Sequence, residues 1–182
     1  MKGVVFNLLE EVVRRHHGED FWDDLLDHSE LDGAYTSLGS YSDDEIEALV
    51  ASAATKLDLS RADVLRWFGQ TAMPVLAELY PAFFEPHRSS RSFVLGVNSI
   101  IHAEVRKLYT GADCPHFNFR DETDGALLMD YRSARRMCAL AQGFIEGAAN
   151  QYGETLEFRH DSCVDHGDPY CVFHIQWPSL AA

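Results

Sequence analysis

Apolar residues in the first half of the chain recur at the three- and four-residue spacing of amphipathic helices. Between residues 4 and 17 they form one stripe, and Gly18 follows as a stop signal. Ser42 and Glu45 form a capping-box pattern ahead of a further apolar run. Pro74 falls inside a helical pattern and is expected to kink it. The predicted helices cover residues 4–17, 19–28, 42–57, 60–80 and 92–109.

The pattern changes after residue 110, where short apolar stretches alternate with polar positions. Two strands, over 117–120 and 126–131, are joined by a polar turn, and a helix is predicted over 135–149. Two more strands follow, the last over 171–177. The order predicts an α+β fold: a helical N-terminal lobe followed by a β-β-α-β-β lobe with a four-stranded antiparallel sheet. We expect one domain over 1–182, with lobes over 1–60 and 61–182.

Composition narrows the classes of function. Of the 182 residues, 46% are hydrophobic, which is enough for a large core, and the formal net charge is -14. Nucleic acids and anionic membrane surfaces attract basic proteins, so neither is an expected partner. The N-terminus lacks the pattern of a signal peptide, and no apolar run approaches the ~18 residues of a membrane span. We therefore predict a cytoplasmic protein. In a reducing compartment its four cysteines are expected to be metal ligands or buried free thiols, in preference to disulfide-bonded pairs.

His102 lies on the apolar stripe of the predicted helix over 92–109, together with Leu95, Val105 and Tyr109. An imidazole in such a place needs partners for both ring nitrogens. One nitrogen can bind a metal while the other donates a hydrogen bond. The alternative is an ordinary hydrogen-bonded core histidine.

A second constellation follows at the end of a predicted strand. Tyr131 and Ser133 point the same way there, and Arg135 is expected in the first turn of the next helix. Two hydroxyls and a guanidinium suit a pair of carboxylates, because arginine offers a two-pronged donor. The alternative is a polar strand end with a surface arginine.

Taken together, these features resemble the H-NOX (haem nitric oxide/oxygen binding) domains, the bacterial relatives of the haem domain of soluble guanylate cyclase. The resemblance covers essentially the whole chain. It begins with the pattern M-K-G-x-x-F-N over 1–7, includes His102 and Pro115, and ends with the tyrosine-serine-arginine motif.

The resemblance implies a b-type haem (haem b) between the two lobes. His102 would bind the iron, and Tyr131, Ser133 and Arg135 would hold the haem propionates. Pro115 would press on the porphyrin and hold it out of plane. The apolar residues implied around the haem are Val5, Leu9, Met73, Pro74, Pro115 and Leu140.

The expected gas selectivity depends on the residue at position 140, which is Leu140. Relatives that hold oxygen stably place a tyrosine five residues after the motif arginine, and that position here is Leu140. Without a donor, bound oxygen loses a hydrogen bond worth about 1.5–3 kcal/mol. We therefore expect a sensor that binds nitric oxide and carbon monoxide and excludes oxygen. Nitric oxide would weaken or rupture the bond between the iron and His102, and the lobes would then move.

The output of such a sensor is expected in trans, because we expect no catalytic or transmitter domain in the chain. The resemblance suggests a histidine kinase or a cyclic-di-GMP enzyme as the partner, and it implies that the chain itself is not an enzyme. An acidic stretch over 10–27 is a candidate docking patch, although such stretches are more often only solvated.

A second metal site is implied by a subset of the family that binds structural zinc (Zn2+) through three cysteines and one histidine. The matching residues here are Cys138, His160, Cys163 and Cys171. His166 lies nearby as a substitute ligand, and Cys114 has no assigned role. The alternative is a set of buried free thiols.

The metal-binding residues also bear on two other functions, a catalytic haem or zinc protein and a redox sensor. A catalytic haem protein would need a distal histidine–arginine pair or a thiolate ligand, and neither is evident in the sequence. A catalytic zinc would keep an open position, which four protein ligands do not leave. A zinc-thiolate redox sensor that also carries haem is compatible with the sequence.

Overall fold

Residues 1–178 are described by a computed structural model. The helices that begin at residues 43 and 61 start where the sequence offers caps: Ser42 and Glu45 form the predicted capping box, and Ser60 accepts a hydrogen bond from the amide of Asp63. The α-helices are α1 (Gly3–His17), α2 (Glu19–Ser29), α3 (Asp43–Leu57), α4 (Arg61–Leu79), α5 (Ser90–Gly96), α6 (His102–Leu108) and α7 (Cys138–Gln151). The strands are β1 (His116–Asp121), β2 (Leu127–Arg132), β3 (Glu157–Ser162) and β4 (Cys171–Gln176).

The four strands form one antiparallel sheet in the order β1-β2-β4-β3. Alternate residues of the central strands β2 and β4 are buried against α7, as the period of two requires. Tyr131 on β2 lies between Phe117 on β1 and Cys171 on β4. The predicted α+β fold, with its β-β-α-β-β order after the helices, is confirmed.

The apolar core is divided among three groups of helices and strands. One packs α1 to α4 together with Met137 and Ala139, a second packs the sheet against α7, and a third joins α4, α5 and α7 around Met73 and Phe93. Helix α4 takes part in the first and the third. The division of the chain at residue 60 stays a prediction.

Helices α4 and α7 touch through their backbones. A Cβ atom added to Gly69 on α4 would lie 2.6 Å from the carbonyl oxygen of Leu140 on α7. One added to Gly143 on α7 would overlap the carbonyl oxygen of Arg66 on α4. Two helix backbones packed this closely leave no room for an extra methyl group unless one of the helices moves. The two helices that carry Met73 and Leu140 are therefore held in a fixed relation.

The predicted helix over 92–109 differs from the structure. It is divided into α5, a wide π-helical turn over Val97–Ile101, and α6, which begins at His102. The amide of His102 donates to the carbonyl of Val97, five residues earlier. Helix α7 also begins three residues later than predicted. Arg135 therefore lies in the turn before α7, and Arg136 has a left-handed φ of 52°.

No helix within residues 1–178 has both the length and the apolar composition that crossing a bilayer requires.

Candidate functional site

His102 is half-buried at the first position of α6, with its ring 5.5 Å from that of Phe117. Its Nδ1 atom is buried and has no hydrogen-bond partner among residues 1–178, which is rare for a buried polar atom. Burial lowers the pKa of His102 to about 4, with Arg106 acting in the same direction and the backbone of Pro115 against it. The imidazole is therefore neutral at pH 7. A neutral, partly buried imidazole with an unsatisfied nitrogen fits an axial ligand of haem iron.

Asn98 ties the π-helical turn before His102 to the sheet. Its side-chain nitrogen donates to the carbonyl of Phe117 at 2.5 Å, and its oxygen faces the amide of Phe117 at 3.4 Å. Phe117 is the residue against which His102 lies. The sequence gives no signal for the contact between Asn98 and Phe117, because these residues are 19 positions apart and on different elements.

Tyr131, Ser133 and Arg135 lie close together at the end of β2. The Tyr131 ring is buried, and burial raises the pKa of its hydroxyl, which Ser133 and the backbone of Met137 partly oppose. The amide of Arg135 donates to the hydroxyl of Ser133 at 3.2 Å. The structure thus brings the three predicted motif residues together.

The guanidinium of Arg135 already has two carboxylates beside it. It donates to the carbonyl and to the carboxylate of Asp113, at 2.6 and 3.1 Å. Its Nε atom approaches Asp43 within 3.0 Å, at an angle that makes an ion pair rather than a hydrogen bond. An arginine placed between two carboxylates is in the environment that two propionates would also supply. Sequence reasoning missed both aspartates, because Asp43 falls in the stretch that begins a predicted helix and nothing in the pattern marks Asp113 as a partner of Arg135.

Asp43 also joins the N-terminus to this group, because the Met1 ammonium lies 2.6 Å from its carboxylate. Burial alone would raise the pKa of Asp43, but the ammonium and Arg135 together lower it. The chain of charges from Met1 through Asp43 and Arg135 to Asp113 connects the start of α3 with the loop that follows α6.

The apolar residues expected around a haem do not all share one cluster. Val5, Leu9 and Leu140 pack in the group formed by α1 to α4, whereas Met73 is buried in the group formed by α4, α5 and α7. Pro74 is exposed, and helix α4 continues through it. Pro115 is half-buried in the loop before β1. None of these six side chains carries an N–H or O–H donor.

Three of the four predicted zinc ligands come together. Cys138 begins α7, Cys163 follows β3 and Cys171 begins β4. The sulfur of Cys163 lies 3.6 Å from that of Cys138 and 3.9 Å from that of Cys171, and all three are within 4.8 Å of one another. Tetrahedral zinc with bonds of about 2.3 Å separates its sulfur ligands by about 3.8 Å. The spacing therefore fits a metal. Burial raises the pKa of Cys138 and Cys171, and metal binding would favour their thiolates.

His160 lies outside this group of sulfurs. Its Nε2 atom is 3.0 Å from the side-chain oxygen of Gln142, and burial lowers its pKa. Asp165 comes within 3.5 Å of the Cys138 sulfur and also pairs with Arg136 at 3.3 Å. His166 is exposed, and Cys114 is a half-buried thiol apart from the cluster.

Comparisons with known proteins agree with this geometry. The family model described as Haem-NO-binding matches residues 2–160. An H-NOX protein from S. oneidensis, solved in its Fe(II)NO ligation state, is 32% identical with a TM-score of 0.90, and the match covers 97% of this chain and 99% of that one. The unliganded Fe(II) H-NOX protein from K. algicida is 26% identical with a TM-score of 0.87, over 100% and 99% of the two chains.

Proposed function

Because this chain belongs to the Haem-NO-binding family and is thus a haem-based gas-sensing domain, we propose that it responds to nitric oxide and carbon monoxide and excludes oxygen. The bound haem b would supply the gas-binding iron. His102 would be the iron ligand, and the observation that carries this assignment is its neutral, half-buried imidazole, whose Nδ1 has no hydrogen-bond partner among the described residues. Tyr131, Ser133 and Arg135 would hold the propionates. The other residues proposed for the haem pocket are Val5, Leu9, Met73, Pro74, Pro115 and Leu140.

Exclusion of oxygen would follow from the apolar character of that pocket. Oxygen bound to ferrous iron is polar and gains from a hydrogen-bond donor, whereas nitric oxide depends much less on one. Leu140, Leu9 and Met73 offer no donor. A missing bond of about 1.5–3 kcal/mol weakens oxygen binding about tenfold to a hundredfold.

The signal would be the release of the His102 side chain from the haem iron when nitric oxide binds. His102 begins α6, and the turn before it is tied to β1 by Asn98. The loop after α6 carries Asp113, which Arg135 connects to Asp43 on α3. A shift of α6 would therefore reach both lobes, as a two-state transition requires. We propose that a separate protein, a histidine kinase or a cyclic-di-GMP enzyme, is the recipient and that the domain itself is not an enzyme.

A structural zinc ion is proposed at Cys138, Cys163 and Cys171, with His160 as the fourth ligand. The sulfur spacing supports this site, and four protein ligands would close it to substrate. The same three thiols keep a redox-sensing role as the second candidate. Their burial argues against it, because reactive cysteines are exposed and have lowered pKa values, whereas burial raises the pKa of Cys138 and Cys171.

The experiment that tests the sensor is an absorption spectrum of the reduced, haem-reconstituted protein, recorded without gas, with nitric oxide and in air. We expect a haem Soret band that shifts with nitric oxide and stays unshifted by oxygen until the iron oxidises. A stable oxygen complex would contradict the selectivity. No haem band after reconstitution would contradict the whole proposal.

A tyrosine at position 140 is expected to create oxygen binding. In Leu140→Tyr the new hydroxyl would reach into the pocket from α7 and donate to bound oxygen, which would tighten oxygen binding about tenfold to a hundredfold. Stopped-flow measurement of oxygen dissociation would give the change. The matched control is Leu140→Phe, which adds the ring without the hydroxyl. An equal gain in both variants would show that size, and not hydrogen bonding, sets the selectivity.

A further inference from the structure

A buried carboxylate on α7 organises the side chains between α4 and β3. Glu146 accepts hydrogen bonds from Arg66 Nε at 2.6 Å and Nη2 at 2.7 Å, both from α4. It also accepts from the amides of Gln70 at 2.7 Å and Gln142 at 2.9 Å. Its side chain is only 11% exposed. Each carboxylate oxygen thus has two donors, and the charge is paired with Arg66.

This arrangement fixes the orientation of Gln142. A carboxylate paired with arginine only accepts hydrogen bonds, so Gln142 must turn its NH2 group toward Glu146. The opposite orientation would place two acceptor oxygens against each other. The oxygen of Gln142 therefore faces away from Glu146, and it lies 3.0 Å from Nε2 of His160.

The orientation of Gln142 in turn determines which nitrogen of His160 carries the proton. An amide oxygen cannot donate, so Nε2 of His160 must be the N–H donor in this contact. In a neutral imidazole the other nitrogen, Nδ1, then has the free electron pair. Metal-binding histidines are commonly held in this way, with the non-ligating nitrogen donating to a fixed acceptor.

We propose that Gln142, oriented by Glu146, is a positioning residue that holds His160 in the Nε2–H tautomer and so presents Nδ1 to the metal at Cys138, Cys163 and Cys171. The inference rests on the zinc site proposed above. It gives Arg66 a positioning role as well, because its two hydrogen bonds hold Glu146 from α4. The metal site is thereby connected to the helix that also carries Met73.

The first test is the tautomer of His160 in the full chain, read from 15N chemical shifts of the histidine rings, with and without zinc. We expect a protonated Nε2 in both states and a zinc-shifted Nδ1 in the loaded protein. A protonated Nδ1, or Nε2 as the zinc ligand, would overturn the proposal and leave the zinc site itself intact. This measurement needs no variant and does not depend on refolding.

The second test compares two glutamines that share Glu146. Gln142→Leu should weaken zinc binding about tenfold to a hundredfold, measured by competition with a chromophoric chelator. Gln70→Leu removes a donor to the same carboxylate without touching His160, and should change zinc binding less than about threefold. Equal losses in the two variants would overturn the positioning role. Failure of the wild-type chain to bind zinc would overturn the zinc proposal and the metal part of this one.

Discussion

Replacing His102 with glycine is expected to abolish retention of haem by the purified protein, and added imidazole is expected to restore it. The side chain is the proposed iron ligand, so its loss removes the bond that the chain is proposed to make to the iron. We expect haem binding to weaken about a hundredfold or more, which corresponds to about 2.8 kcal/mol. The glycine also leaves a space of imidazole size beside Phe117, into which free imidazole can bind. The haem content per chain, with and without imidazole, measures both effects.

The matched control for this variant is His116→Ala. His116 is close enough for its charge to act on His102, but it is exposed on β1. Its removal should leave haem retention unchanged. If His102→Gly kept its haem without imidazole, or if both variants lost it equally, His102 would not be the ligand.

The elements that the sequence predicted well are those fixed by local chemistry. Ser42 and Glu45 complete a capping box within four residues, and α3 begins where that motif places it. The strands follow from alternation of buried and exposed positions, and the structure confirms their order. These features depend on neighbours along the chain, which a sequence displays directly.

The break before His102 could not be predicted in the same way. A π-helical turn keeps apolar residues on both sides of the interruption, so the helical spacing continues to look regular. The turn is held by Asn98 against Phe117, which is a tertiary contact. The partners of Arg135 are likewise distant along the chain. Asp43 lies in the predicted N-terminal lobe, and Asp113 lies in the loop after α6.

The metal site has one part that could be predicted from the sequence and one part that could not. The family resemblance implies that Cys138, Cys163 and Cys171 share one metal site with His160, and the structure places the three sulfurs together. The environment of His160 was not predictable, because Glu146 is held by Arg66, 80 residues away along the chain. Only the packing of α4 against α7 brings those residues to the same place.

Replacing Cys171 with serine is expected to abolish zinc binding and to lower the stability of the domain. Cys171 is completely buried at the start of a central strand, so the change removes a proposed metal ligand and buries a hydroxyl in its place. Because metal binding is coupled to folding, we expect a loss of about 3 kcal/mol or more in the free energy of unfolding. For a domain of this size that corresponds to a fall of about 6–12 °C in Tm.

Haem retention should fall with it, since Cys171 is paired across the sheet with Tyr131 of the propionate motif. The control is Cys114→Ser, which changes a half-buried thiol outside the cluster and should leave zinc content and Tm as in the wild type. A chelator should lower the Tm of the wild type and of the control toward that of Cys171→Ser, and leave Cys171→Ser itself unaffected. If the chelator removed zinc while Tm and haem content stayed the same, the metal would not support the haem site, and the three thiols would be a cluster without a structural role.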